Sequence, residues 1–255
     1  MNTDKPGAYH IVIPARYASE RLPGKVLLNL GGKPLLQHVW LRASESAAQS
    51  VVIATDDERI VAAAEAFGAR VVLTAAEHQS GSDRIAECAA LLGWPDDHLL
   101  VNLQGDEPLM PAACLDQVAA LLDQRPDCEV ASLYWPISEA GEVSNPNAVK
   151  VVTDARDRAL YFSRAPIPYR RDYEKIEQAI SAGLTWKRHL GLYAYRLDAL
   201  QRFTACQPTP LETAERLEQL RIMEQGGSIA MAEACEFIPA GVDTLEDLQR
   251  IRSLL

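Results

Sequence analysis

In the first half of the chain, short apolar runs alternate with amphipathic stretches of helical spacing, a rhythm few folds accommodate. YHIVIP (residues 9–14), SVVIAT (50–55), RVVLT (70–74) and LLVN (99–102) are rich in Val, Ile and Leu and do not alternate in polarity. Such runs read as strands buried on both faces, the form strands take inside parallel sheets. Between them, helices are expected over residues 34–46 with Pro34 in the first turn, on to about Phe67 where Gly68 stops the second, over 84–92, and from Pro111 to near Gln124. Thr55 is the expected cap of the second helix, with Asp56, Asp57 and Glu58 in its first turn. Strands separated by helices predict an α/β fold on a mostly parallel, doubly wound sheet.

After Val130 the rhythm changes. Residues 130–135, 148–153 and 190–195 read as strands without regular helices between them, and residues 163–187 mix prolines, aromatics and charges. Within that region YRRDYEKIEQ reads as a short exposed helix or a partner surface. A helix over 211–224 stopped by Gly226-Gly227, a strand over 229–232, and a last helix capped by Asp243 or Thr244 complete the pattern. The expectation is one domain over residues 1–255, with a smaller elaboration at about 135–195 for substrate contacts and a dimer face. Hydrophobic residues make up 48% of the chain, enough for such a core. The formal charge of −10 argues against a broad footprint on nucleic acid. The five cysteines show no C-x-x-C spacing, which reads as reduced thiols rather than a disulfide framework or zinc site. With no signal-like start and no long apolar window, a cytoplasmic protein that does not enter the membrane is expected.

Ligands of open α/β sheets bind beyond the carboxyl ends of the strands, so the turns that follow the apolar runs matter most. The run at 99–102 leads into Gln104-Gly105-Asp106-Glu107-Pro108. A carboxylate there suits a hard cation, but a turn or cap before the Pro111 helix accounts for Asp106 as well. Gly241-Val242-Asp243-Thr244 poses the same choice, with a cap sufficient for Asp243. The loop after the first strand holds Arg16, Arg21, Gly24 and Lys25, whose cations and backbone N–H groups can wrap a polyphosphate. It is neither of the two common glycine-rich nucleotide fingerprints, and a solvated basic loop has comparable weight. HQSGSDR (78–84) offers groups for a base or ribose, or an ordinary capped turn. His189 alone is more often structural than catalytic, and Glu218 and Gln219 fit an exposed helix face. The residues by themselves reach a nucleotide- or phosphate-handling α/β protein with Mg²⁺.

The segments IPARYASERLPGK, HQSGSDR, VNLQGDEP, NPNAVKVV, ALYFSRAPIPY, RHLGLYAY, PLETAERLEQLR and GVDTLEDL occur in order along nearly the whole chain. Together they resemble the 3-deoxy-manno-octulosonate (Kdo) cytidylyltransferases. The resemblance implies a nucleotide-diphospho-sugar transferase-like fold, a homodimer, and Mg²⁺-dependent conversion of CTP and Kdo to CMP-Kdo and diphosphate for lipopolysaccharide synthesis. It implies that Arg16 and Lys25 contact the triphosphate, that Asp106 and Asp243 are paired Mg²⁺ carboxylates, and that these four are the catalytic set. It implies nucleotide contacts also from Ala15, Ser80, Gly81 and Gln104, and acid-sugar contacts from Arg164, His189, Tyr193, Glu218 and Gln219. Of these, Arg164 and His189 are expected to supply cations for the sugar carboxylate. The phosphate loop departs from the usual S-T-R-L-P-G-K-P-L form at Glu20 and Val26, leaving its conformation open. The alternatives are the same chemistry on 8-amino-Kdo or a sialic acid, and a non-catalytic nucleotide-binding protein; the acidic pair Asp106-Glu107 of QGDEP favours ordinary Kdo over the amino sugar.

Overall fold

The first strand is apolar on both faces: Ile11 and Ile13 pack into one core cluster while Val12, between them, packs into another. A computed structural model describes residues 7–18, 22–78 and 80–254; Glu20, Arg21 and Gln79 lie outside the described residues. The first half runs β1 (Tyr9–Ala15), a 3-10 turn (Lys25–Leu27), β2 (Asn29–Leu30), β3 (Lys33–Pro34), α1 (Leu35–Ser44), β4 (Ser50–Thr55), α2 (Glu58–Ala66), β5 (Arg70–Leu73), α3 (Gly81–Leu91), β6 (Leu99–Asn102) and α4 (Ala112–Asp123). The second half runs β7 (Val130–Ile137), α5 (Ala140–Ser144), β8 (Lys150–Thr153), β9 (Ala159–Ser163), α6 (Ile176–Ser181), β10 (Trp186–Arg196), α7 (Leu197–Ala205), α8 (Pro210–Glu215), α9 (Gln219–Glu224), β11 (Ile229–Glu233) and α10 (Leu245–Arg252).

The main sheet has the order β11-β7-β10-β6-β1-β4-β5, with β8 and β9 branching from β10. Strands β6, β1, β4 and β5 are parallel, as the first-half rhythm predicts, and β11 lies parallel to β7. Between these groups β10 runs antiparallel to both β6 and β7. The start of β10 therefore projects past the carboxyl end of β6 and becomes a wall of whatever binds there. Helices α1, α2, α4 and α10 bury one face of the sheet, and α3, α7 and α9 bury the other. The elaboration has a small core of its own, with Ile137, Val143, Ala179 and Trp186 buried together. Among the described residues no helix is long and apolar enough to cross a membrane.

Several local features differ from the sequence expectation. Asp57, not Thr55, caps α2 by accepting from the Arg59 N–H, because Thr55 is still the last residue of β4. Pro34 precedes α1 as its cap residue. Helix α3 begins at Gly81 rather than Arg84, because Ser80 and Asp83 form a reciprocal capping box. Thr244 and Asp247 do the same for α10, so the cap is Thr244 and Asp243 lies just outside the helix. Strand β9 and helix α7 have no counterpart in the sequence pattern.

The expected single helix over 211–224 is two, α8 and α9, separated by Arg216 in the left-handed region with φ 52°. Across this break Arg221 donates to both Glu212 oxygens, Nε to Oε2 at 2.7 Å and Nη2 to Oε1 at 2.5 Å. Residues nine apart fall on opposite faces of a continuous helix, so the pair requires the bend. Both side chains are about nine-tenths buried. Arg221→Met, which leaves the buried Glu212 carboxylate with the Thr209 N–H but no cation, is expected to lower unfolding free energy by about 3 kcal/mol or more in denaturant melts. A change below about 1 kcal/mol would remove the pair as the cause of the bend.

Candidate active site

At the carboxyl edge of the parallel strands lies a cleft of about 600 Å³. Its near wall comes from Ala15 at the end of β1 with Arg16 beyond it, and from Gln104, Gly105 and Asp106 after β6, with Ser80 and Gly81 at the start of α3. Its far wall comes from Tyr193 and Tyr195 of β10 and from Arg216, Glu218 and Gln219 at the break between α8 and α9.

Two glycines let the near wall close. A Cβ on Gly105 would meet the Pro14 carbonyl oxygen at 2.9 Å, and one on Gly241 would meet the Asp106 carbonyl oxygen at the same distance. The turn after β6 thus lies directly on the end of β1, and the segment before α10 lies directly on that turn. The Val242 N–H donates to the Asp106 carbonyl at 2.9 Å, fixing the two aspartates side by side. Lys25 reaches between them: its Nζ donates to Asp106 Oδ2 at 2.5 Å, Asp243 Oδ1 at 3.0 Å and the Val242 carbonyl at 3.1 Å. Burial pulls the ammonium down, but the charges and hydrogen bonds of Asp106 and Asp243 outweigh it and leave Lys25 above the usual lysine value. Beside them the Glu107 carboxyl has a buried oxygen without a partner among the described residues. Burial first, and then the charges of Asp106 and Asp243, push it up to about 8.

Lys25 is presented by the 3-10 turn, whose first N–H bonds the Leu22 carbonyl after Gly24. Val26 sits inside this turn, 3% exposed, so the departure from proline there is absorbed as a core contact. Arg16 is exposed at the cleft mouth. At the other end of the near wall, Ser80 accepts from the Asp83 N–H while Ser82 donates to Glu218 Oε2 at 3.2 Å, joining the two walls. Arg84 also lines the cleft, though its guanidinium is held by Thr74 Oγ1 at 2.5 Å and Asp56 Oδ2 at 3.2 Å.

The far wall depends on an irregularity in β10. Its pairing with β7 shifts register between Leu190 and Tyr193. The buried Ser132 hydroxyl sits 3.0 Å from the Leu190 carbonyl, 2.9 Å from that of Leu192 and 3.1 Å from His189 Nε2. This bulge brings Gly191 and Tyr193 to the cleft. Gln219 also faces it, and its buried Nε2 has no partner among the described residues.

Eleven of the thirteen site residues expected from sequence line this cleft, and Arg164 and His189 do not. The Arg164 guanidinium is spent on the carbonyls of Glu215, Pro146 and Arg216, so it shapes the break that carries Arg216, Glu218 and Gln219. His189 stands behind Tyr193, enclosed by the rings of Phe162 and Tyr193 at 4.9 and 5.3 Å. Burial brings its imidazole down to about 3, so it is neutral at pH 7 and supplies no cation. Sequence reasoning misses Arg216 and Ser132. An arginine in the left-handed region and a serine inside an apolar strand are weak signals without the fold.

Two carboxylates and a backbone carbonyl gathered at one point make an all-oxygen donor set, which suits a hard cation completed by water and phosphate oxygens. Among the described residues no group of three or more His, Cys, Asp and Glu side chains is gathered for a metal, so a cage made wholly by protein is not what this site offers. Cations and helix-start N–H groups around such a point, at the carboxyl edge of an α/β sheet, define a site for phosphate-bearing nucleotides.

The comparisons with known proteins agree. A family model described as Cytidylyltransferase matches residues 10–231. The chain is 53% identical over 249 residues to the 3-deoxy-manno-octulosonate cytidylyltransferase of Thioalkalivibrio sulfidiphilus, covering 97% of this chain and 99% of that one. It is 50% identical over 250 residues to that of Cellvibrio japonicus, covering 97% and 98%. A solved CMP:2-keto-3-deoxy-manno-octonic acid synthetase in complex with CTP superposes with a TM-score of 0.89 at 40% identity over 97% and 98% of the two chains. The chain belongs to the 3-deoxy-manno-octulosonate cytidylyltransferases.

Two outcomes follow from this geometry. Gly241→Ala forces the Asp106 and Asp243 backbones apart and is expected to lower turnover at least tenfold while the protein still folds; unchanged turnover would show that their spacing is not critical. His189 is held neutral in the fold, whereas an unfolded histidine protonates near pH 6.5, so it contributes stability that is lost as pH falls. Between pH 7 and 5 the wild type is expected to lose about 1–2 kcal/mol relative to His189→Gln in unfolding titrations. Parallel pH profiles would contradict the neutral, buried imidazole.

Proposed function

We propose that the cleft transfers the cytidylyl group of CTP to the anomeric hydroxyl of Kdo, giving CMP-Kdo and diphosphate for lipopolysaccharide synthesis. The observation that carries this reading is the convergence of Lys25, Asp106 and Asp243 from three distant segments onto one point at the sheet edge. The sugar hydroxyl attacks the α-phosphorus, the bond to the departing diphosphate breaks, and the hydroxyl proton is lost, with no covalent enzyme intermediate. Catalysis is then positioning and charge neutralisation. Asp106 and Asp243 are the residues that would hold Mg²⁺, which when bound lowers the pKa of the attacking hydroxyl and neutralises phosphate oxygens. Arg16 and Lys25 stabilise charge moving onto diphosphate. Ala15, Gln104, Ser80 and Gly81 line the side of the cleft assigned to the nucleotide.

The sugar reads onto the far wall. Tyr193, Glu218 and Gln219, whose Nε2 has no partner among the described residues, line the cleft opposite the nucleotide residues, and donors and acceptors of this kind suit a polyhydroxy acid. Arg164 contributes through the backbone it holds, and Arg216 is the cation that the same loop brings to the cleft. The chain is proposed to act in the cytoplasm as a homodimer. Leu160 and Tyr169 on the elaboration, 59% and 83% exposed, support that face as the contact.

Diphosphate release is expected only when CTP, Kdo and Mg²⁺ are all present. Asp106→Asn or Asp243→Asn is expected to reduce kcat by at least ~100-fold. Faster release with 8-amino-Kdo or N-acetylneuraminate would overturn the sugar assignment. No release with all three components would leave a nucleotide-binding module.

A further inference from the structure

We infer that Lys25 is a built-in counter-ion occupying the metal position between Asp106 and Asp243, so that entry of the metal and transfer of Lys25 to the nucleotide phosphates are one event. This rests on the proposed reading of the two aspartates as the metal carboxylates. An ammonium has three N–H donors, and Lys25 has three oxygens around it: Asp106 Oδ2, Asp243 Oδ1 and the Val242 carbonyl. Its hydrogen-bonding capacity is therefore filled. A divalent ion bound by both carboxylates would need the space that Nζ fills, and two cations do not share it.

Something has to stand there when no metal does. Gly241 and the Val242 N–H press the two aspartate turns together, and the Glu107 carboxyl is packed beside them. Without a cation the aspartates would repel across a short gap. Lys25 removes that repulsion, and its side chain is 13% exposed, so little water does the same work. Lysine suits a reversible plug because its charge is a point on a flexible four-carbon stem. The stem starts from the 3-10 turn at the edge of the phosphate loop, so the ammonium can leave the aspartates without unfolding its element.

The consequence is thermodynamic. A free divalent ion must displace a tethered ammonium, which competes at high effective concentration. The ion therefore binds poorly by itself. Nucleotide phosphates give Lys25 new acceptors, so nucleotide raises metal affinity, and by linkage metal raises nucleotide affinity by the same factor. A lysine that only touched phosphates would have no effect on metal binding in the absence of nucleotide.

The test is Mn²⁺ binding to nucleotide-free protein, read by electron paramagnetic resonance of the free ion. Lys25→Met and Lys25→Gln are expected to bind Mn²⁺ at least tenfold more tightly than wild type, while Lys25→Arg, which keeps the charge, stays weak. Adding Asp106→Asn to Lys25→Met is expected to abolish the gain. If the neutral variants bind no more tightly than wild type while Asp106→Asn weakens binding, the counter-ion role is overturned and the two-aspartate site stands. If Asp106→Asn leaves the tight binding of Lys25→Met unchanged, the metal reading itself falls. The glutamine variant keeps a polar hydrogen-bonding end without the charge and serves if the methionine variant does not fold.

Discussion

One backbone hydrogen bond, from the Val242 N–H to the Asp106 carbonyl, organises this site. It joins a turn from the middle of the chain to a segment near its end, and it forms only because Gly241 lacks a Cβ. The same economy operates one layer down, where Gly105 lets that turn lie on the end of β1. Three pieces of backbone are stacked at the carboxyl edge of the sheet, and the upper two carry Asp106 with Glu107 and Asp243. Packing thus forces two aspartates into proximity that their charges oppose. The electrostatics of Lys25 and Glu107 follow from that constraint: the lysine is held charged and the glutamic acid is pushed towards its neutral form.

The opposite wall is built on departures from regularity. Inserting β10 antiparallel beside β6 sends its early residues past the strand ends, and the Ser132-supported bulge aims Tyr193 inward. The bend at Arg216, tied by Glu212 and Arg221, turns Glu218 and Gln219 into the same space. The half of the cleft assigned to nucleotide therefore stands on regular α/β architecture, and the half assigned to sugar stands on a bulge and a broken helix. Irregular backbone of this kind sits where a particular ligand is read.

The same division sets what is legible in the sequence. The parallel strands are readable because continuous apolar runs of this length and composition suit little besides a strand covered on both faces, and Ser50–Thr55 agrees to the residue. The motifs carrying Lys25, Asp106 and Asp243 single out residues that the fold brings to one point, but spacing alone cannot bring them together, because their meeting is a long-range event set by two glycines. Residues 211–224 read as one helix because leucine spacing persists through the break, while the force that bends it is an ion pair whose partners lie nine residues apart. The cationic role expected of His189 fails for a related reason: burial behind Tyr193 decides its charge, and burial is not written in a local motif.

If the positive charge needed for cytidylyl transfer is held at one point between Asp106 and Asp243, an ion placed crystallographically will be found there. The decisive measurement is a crystal structure of the protein with CTP and Mn²⁺, using the anomalous signal to locate the ion. The expected result is an ion bonded to carboxylate oxygens of both aspartates, with Lys25 displaced onto the triphosphate. An ion bound elsewhere while Lys25 still bridges the two aspartates would contradict it.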